Sequence, residues 1–275
     1  MDELIRKSAR EVVALLRAGE VSSDDTLDAL VARIEAVDSE INALPTLCIE
    51  RARERAHSLE QKDSLLAGMP VAIKDLTDVA GVRTTHGSTL YENNIAQESS
   101  LMVQRVEANG GVIYAKSNTP EFGTGGNTFN DVFGATRNPH DTTRSAGGSS
   151  GGAAAALASG SAWLAQGSDL GGSLRTPASF CGVTSLRPSP GVVTSNPGLA
   201  PFDVYSQSGP MARDLGDLAL FADALAGPSQ QTGISKTHRI GQFAEAAARP
   251  RKPVRVAFSE DLGVTQTSSE VSIIC

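Results

Sequence analysis

The apolar positions of the chain change period along its length. Leu4, Ile5, Val12, Val13, Leu15 and Leu16 recur at helical spacing over residues 3–18, with Gly19 placed to stop the helix. Ser22, Ser23, Asp24 and Asp25 then supply capping oxygens and N-terminal negative charge for a second helix reaching about Val37. A third, Ile49 to about Gln61, carries Arg51, Arg53, Glu54 and Arg55, which reads as a solvated outer face. Together these predict an N-terminal helical arm over residues 1–62.

From residue 63 the pattern changes. Val71-Ala72-Ile73-Lys74-Asp75 reads as a short buried strand, residues 100–108 as a helix closed by Asn109-Gly110-Gly111, and Val112-Ile113-Tyr114-Ala115-Lys116 as a second strand. Strand, helix, strand in that order predicts an α/β fold with a sheet flanked by helices. Residues 117–148 lack a period and are rich in Gly, Asn, Thr and Pro, and a loop of that length inside a domain is usually functional. Further on, a helix over Ala153–Ser159, a strand over Ser161–Gln166, a helix over Asp214–Leu225 and a strand over Val254–Phe258 are expected. Val271-Ser272-Ile273-Ile274 reads as a late strand with nothing after it, so the fold reads as incomplete at its C-terminus.

Composition narrows the class. The 275 residues carry a net charge of −7, with no clustered basic face, which argues against a nucleic-acid partner. No run approaches the roughly 18 apolar residues of a membrane span, and the first residues do not form a cleavable leader. The three cysteines, Cys48, Cys181 and Cys275, are too scattered for a disulfide framework or metal cluster. A cytoplasmic protein without metal or cofactor is the expectation.

The candidate chemistry lies between Ser145 and Pro177. Ser145-Ala146-Gly147-Gly148-Ser149-Ser150-Gly151-Gly152 leads into the alanine-rich helix, and Gly167-Ser168-Asp169-Leu170-Gly171-Gly172-Ser173-Leu174-Arg175-Thr176-Pro177 follows it. Glycines around a serine leave backbone N–H groups free and allow close approach of a bound group. A serine needs a base to lose its proton. Of the four histidines, His57 and His238 read as surface residues, and His86 and His140, nearer the glycine loops, lack a clear acidic partner. Gly148–Gly152 fits the G-x-S-x-G elbow, but Asn138–Arg144 ahead of it does not read as the strand that elbow requires. Lys74 is the remaining base: burial disfavours its charged form, and strand alternation sends Asp75 to the opposite face.

These pieces carry a resemblance. Gly68–Asp75, Gly147–Gly152, Gly167–Ala178, Phe180-Cys181-Gly182 and Leu186-Arg187-Pro188 resemble, in order and spacing, the amidase signature family. The resemblance implies a Ser–Ser–Lys triad in which Ser173 is the nucleophile and Ser149, after a cis Gly148–Ser149 peptide, relays its proton to Lys74. It implies an oxyanion hole from the N–H groups of Leu170, Gly171, Gly172 and Ser173, bracing by Asp169 and Arg175, and substrate contact at Gly123. Cys181 is read as small buried packing. Ser185 departs from the family's usual glycine, which predicts a strained turn. The family's domains are also longer, so residues 63–275 read as a truncated catalytic core. The implied reaction is hydrolysis of a small carboxylic amide through an acyl-serine; a second copy of the chain, as a homodimer, is the candidate protein partner. Two alternatives stay open: the glutaminase component of a tRNA-dependent amidotransferase, and an inactive truncated fragment. Glu121-Phe122-Gly123-Thr124-Gly125-Gly126-Asn127 looks more like stand-alone amidases than like that component.

Overall fold

The structure, a computed structural model, describes residues 2–59, 63–194, 202–252 and 255–274. The first predicted helix is two: α1 (Asp2–Arg6) and α2 (Ala9–Ala18). Ser8 divides them because it forms a capping box with Glu11: its side chain accepts from the Glu11 N–H, and the Glu11 carboxylate accepts from the Ser8 N–H. The same device, Ser22 with Asp25, starts α3 (Ser23–Ile41). β1 (Thr46–Leu47) and α4 (Ile49–His57) follow, and residues 60–62, the expected end of α4, lie outside the described residues.

Next come β2 (Pro70–Lys74), α5 (Leu101–Ala108) and β3 (Val112–Ser117), with β2 and β3 parallel, the expected strand–helix–strand unit. The long loop is not featureless. It holds two small ribbons, β4 (Phe129–Asn130) with β5 (Gly134–Ala135) and β6 (Arg137–Asn138) with β7 (Asp141–Ser145). Residues 141–145 are thus extended after all, but polar and outside the main sheet.

Then come α6 (Gly151–Ser159), β8 (Leu164–Asp169), α7 (Arg175–Cys181), β9 (Thr184–Ser185), β10 (Gln207–Ala212), α8 (Leu215–Leu225), α9 (Gln242–Ala248) and α10 (Ser269–Ile274). The main sheet runs β1-β3-β2-β8-β10-β9. Its centre, β3, β2 and β8, is parallel, while β1, β10 and β9 join antiparallel, giving a mixed sheet flanked by helices.

Two expected strands do not form. Residues 255–258 are irregular, Val254 lies outside the described residues, and 271–274 belong to α10. Ser185 needs no unusual backbone, since it lies in β9 opposite Met211, so the strained turn expected there does not arise.

Helix α6 is buried along almost all of its length, which only small side chains permit so close to the sheet. A Cβ on Gly152 would stand 2.2 Å from the Asn118 backbone nitrogen. The short α6 therefore starts hard against the end of β3, and this fixes where the Ser149–Ser150 turn sits.

Candidate active site

Lys74 ends β2 with its side chain fully buried. Its Nζ donates to Ser149 Oγ at 2.7 Å, Ser150 Oγ at 3.0 Å and Ser168 Oγ at 3.1 Å. Among the described residues three hydroxyls and no carboxylate bond this amine directly. Burial pulls its pKa down from 10.5 to about 7, although the Asp169 charge pulls the other way. Asp75 faces elsewhere, as alternation predicts: it pairs with the buried Lys116 at 3.1 Å and accepts from Thr85.

The Gly148–Ser149 peptide is cis. Its turn is held by Thr128, whose hydroxyl donates to the Gly147 carbonyl at 2.9 Å and accepts from the Gly151 N–H at 3.0 Å. Ser145 accepts from the Gly147 N–H and donates to Asn127. The Ser150 N–H donates to the Ser173 carbonyl at 3.2 Å, which joins the two glycine-serine turns. The half-buried Ser173 hydroxyl itself has no hydrogen-bond partner among the described residues. The structure therefore joins Lys74 to Ser149 by a direct bond, and Ser173 to that pair through backbone.

Asp169, at the end of β8 and fully buried, organises the turn over residues 170–175. It accepts from the Gly172 N–H at 2.9 Å, the Leu174 N–H at 3.2 Å, Arg175 at 2.9 and 3.0 Å, and Arg187 at 3.1 Å. Burial pushes its pKa up, but the bonds from Arg175, Leu174 and Gly172 and the Arg175 charge outweigh this and hold it at about 2. The amides expected at the oxyanion hole differ in their hydrogen bonding. The Gly172 N–H is already committed to Asp169, whereas those of Leu170, Gly171 and Ser173 have no acceptor among the described residues.

Gly123 lies in the site: a Cβ there would stand 3.6 Å from Ser149 Oγ and 2.5 Å from Leu76 Cδ1. Beside it Phe122 is about half exposed and meets the Tyr91 ring edge-on.

Sequence reasoning gives no role at the site to Ser150, Ser168 or Arg187. Ser150 and Ser168 adjoin motif residues, and the signal that could have found them is the need of a buried amine for several acceptors. Arg187 lies within the Leu186-Arg187-Pro188 motif, but nothing in its neighbourhood along the chain points to Asp169.

No histidine bonds to Lys74, Ser149 or Ser173 among the described residues. His57 pairs with Asp24 on the surface, and His140 bonds the Cys181 carbonyl. His238 differs from its expected place, since its side chain is only 5% exposed and sits 2.9 Å from the buried Asp223. Cys181 packs in the core, where burial pushes its thiol up to about 12 and leaves it inert. Among the described residues no cluster of His, Cys, Asp or Glu could hold a metal ion, and no helix is long and apolar enough to cross a membrane.

Comparison with known proteins decides the family. The profile described as Amidase matches residues 25–273. The chain belongs to the amidase signature family. An acylamidase from Rhodococcus erythropolis is 37% identical over 274 residues, which is 98% of this chain and 57% of that protein. The first component of a glutamyl-tRNA(Gln) amidotransferase from Moorella thermoacetica is 43% identical over 279 residues, 99% of this chain and 57% of that protein. The crystal structure of a bacterial aryl acylamidase of the amidase signature family superposes with a TM-score of 0.82 at 32% identity, covering 87% of this chain and 51% of that one. This amidase-family chain thus spans about half the length of the relatives it matches.

Proposed function

We propose that the chain hydrolyses small carboxylic amides through an acyl-serine intermediate on Ser173. The observation that carries this reading is the buried Lys74 amine, its pKa pulled down to about 7, 2.7 Å from the Ser149 hydroxyl. In this scheme the neutral amine takes the Ser149 proton as Ser149 takes that of Ser173, and the Ser173 oxygen attacks the amide carbon. The carbonyl oxygen, now negative, is received by the N–H groups of Leu170, Gly171 and Ser173. Each such donor is worth roughly 3 kcal/mol in the transition state. The proton held on Lys74 returns through Ser149 to the departing nitrogen, releasing ammonia or an amine. Water then enters by the same route, its proton passing through Ser149 to Lys74 as it attacks the ester. When the bond from the acyl carbon to Ser173 breaks, that proton returns through Ser149 to the Ser173 oxygen and the acid leaves.

Asp169 acts through position: with Arg175 and Arg187 it fixes the turn from which Ser173 and the free N–H groups project. The test is labelling by an activated fluorophosphonate. The wild-type chain is expected to be labelled and Ser173→Ala to remain unlabelled, and unchanged labelling of that variant would rule out this nucleophile.

A second reading, glutaminase chemistry in a larger assembly, is favoured by the 43% identity to the amidotransferase component. Ammonia release from a panel of aliphatic, aromatic and amino-acid amides separates the two, with Ser173→Ala as the control. Turnover of glutamine alone would select the second.

A further inference from the structure

A cavity of about 520 Å³ lies where the C-terminal ends of α5 and α8 meet. Asn109, on its wall, leads into the N-terminal end of β3, whereas Lys74 pairs with Ser117 at the other end of that strand. The cavity is thus at the opposite end of the parallel strands from the Ser149 turn, and no step of the reaction above uses it.

Its one arginine is held in a specific place. Arg105 Nη2 donates to the Pro228 carbonyl at 2.6 Å. Its guanidinium lies against Gly227, where φ is +145° and a Cβ would stand 2.2 Å from Nη1. Asn109 fixes the surroundings by donating to the Arg105 carbonyl at 3.1 Å and the Ala224 carbonyl at 2.9 Å. This is more order than a surface arginine needs.

The charge it carries is unanswered. Among the described residues Arg105 enters no ion pair, and its Nε–H is buried without an acceptor. The Thr194 hydroxyl, on the same wall and 2% exposed, is also buried without a partner. Asp223 is the nearby carboxylate on the wall, but it is taken up by His238 at 2.9 Å and by the Phe243 and Ala244 N–H groups at 3.0 and 2.9 Å. A buried Arg105 Nε–H and a buried Thr194 hydroxyl on one cavity, both without partners among the described residues, are unusual, because buried polar groups nearly always find partners. The remaining wall is partly apolar, with Leu101, Ala108, Ala226 and Ile240. A volume of this size suits a small molecule.

We propose that this cavity binds a small carboxylic acid, its carboxylate on Arg105 and its apolar body against Leu101, Ala108, Ala226 and Ile240. A guanidinium edge matches a carboxylate in shape and charge, and the apolar wall favours an organic acid over a free inorganic ion. The site stands on its own geometry and does not depend on the chain being a working amidase.

Titration calorimetry with benzoate on the purified chain tests it, beside benzamide as the neutral analogue and inorganic phosphate as the other oxyanion. Benzoate is expected to bind with one site, and benzamide and phosphate at least roughly tenfold more weakly. Arg105→Gln is expected to weaken benzoate by about ten- to a hundredfold, the range of a lost charge-assisted bond. Should that variant fold poorly, Ile240→Asp serves instead: Ile240 is 63% exposed, so the change leaves the core alone while placing a negative charge on the wall. A similar loss is expected. Benzoate binding that both folded variants retain, or equal binding of benzamide, would overturn the proposal. So would tighter binding of phosphate than of benzoate.

Discussion

At the scale of single residues, Lys74 sets the pH behaviour. Below pH 7 its amine is protonated and cannot accept hydrogen from Ser149, given a pKa of about 7. Amidase kcat/KM is therefore expected to rise about tenfold per pH unit below that value and level off above it. Lys74→Met keeps the bulk of the side chain and removes the base, so activity should fall by roughly 10²–10⁴-fold with the pH dependence gone. Stability follows from the same displacement. The unfolded lysine titrates near 10.5 and the folded one near 7, so between these values the unfolded chain holds a proton that the folded one does not. Stability through this group therefore rises with pH across that window, readable as the denaturant midpoint at pH 7 and pH 9. Lys74 was legible in the sequence because a cation in an apolar strand is an anomaly with few resolutions. The commitment of the Gly172 N–H to Asp169 was not. Which amide of a glycine run points inward depends on dihedrals that glycine leaves open.

At the scale of elements, sequence was most informative where polar punctuation meets a periodic run. Ser22 and Asp214 begin α3 and α8 as N-caps, and β2 and β3 follow their apolar runs closely. The failures have physical causes too. Ser8 caps a second helix inside what reads as one amphipathic run. β10 passes unnoticed because Gln207-Ser208-Gly209-Pro210-Met211-Ala212 contains residues that local preference places outside strands. It is nonetheless a strand, antiparallel to β8 along its full length, and that long-range pairing supplies what local preference does not. Val271–Ile274 errs the other way: an apolar run this short does not distinguish strand from helix. The tightest sequence requirement at this scale is at the start of α6. Gly152→Ala brings a Cβ to 2.2 Å from the Asn118 nitrogen, a backbone atom that cannot swing aside. A loss of about 1–3 kcal/mol is expected from such overpacking, measured by urea denaturation. Activity should fall with it at temperatures where the protein stays folded, because α6 carries the Ser149 turn.

At the scale of the whole molecule, the N-terminal helices are tied to the rest of the fold through backbone groups. Arg213 donates to the Ile5 and Lys7 carbonyls at 2.7 and 2.6 Å, and the Trp163 ring N–H to Lys7 at 3.2 Å. β1 extends the sheet beside β3. Asp217, fully buried in the first turn of α8, accepts from the Ala9 N–H at 2.7 Å, the Arg10 N–H at 3.0 Å and the Arg10 side chain at 3.1 Å. It thereby satisfies the opening N–H groups of α2, which have no partner inside their own helix. Asp217→Ala leaves the buried Ala9 N–H without an acceptor and removes the charge facing Arg10. Breaking a buried bond to a charged group costs about 3–5 kcal/mol, and the partial exposure of Arg10 places the expected loss at the lower end. The form of the transition tells more than its midpoint. Helices α1–α4 share one hydrophobic core with β2, β3 and β8, so the variant is expected to melt in a single transition at lower urea with its slope unchanged. A second, separate transition, or a slope reduced by the surface of α1–α4, would mean that the arm detaches and the rest stands without it. Fluorescence of Trp163, which bonds to Lys7, reports the arm's departure, and far-UV circular dichroism reports the helices as a whole. Coincidence of the two curves is the result that one cooperative unit requires.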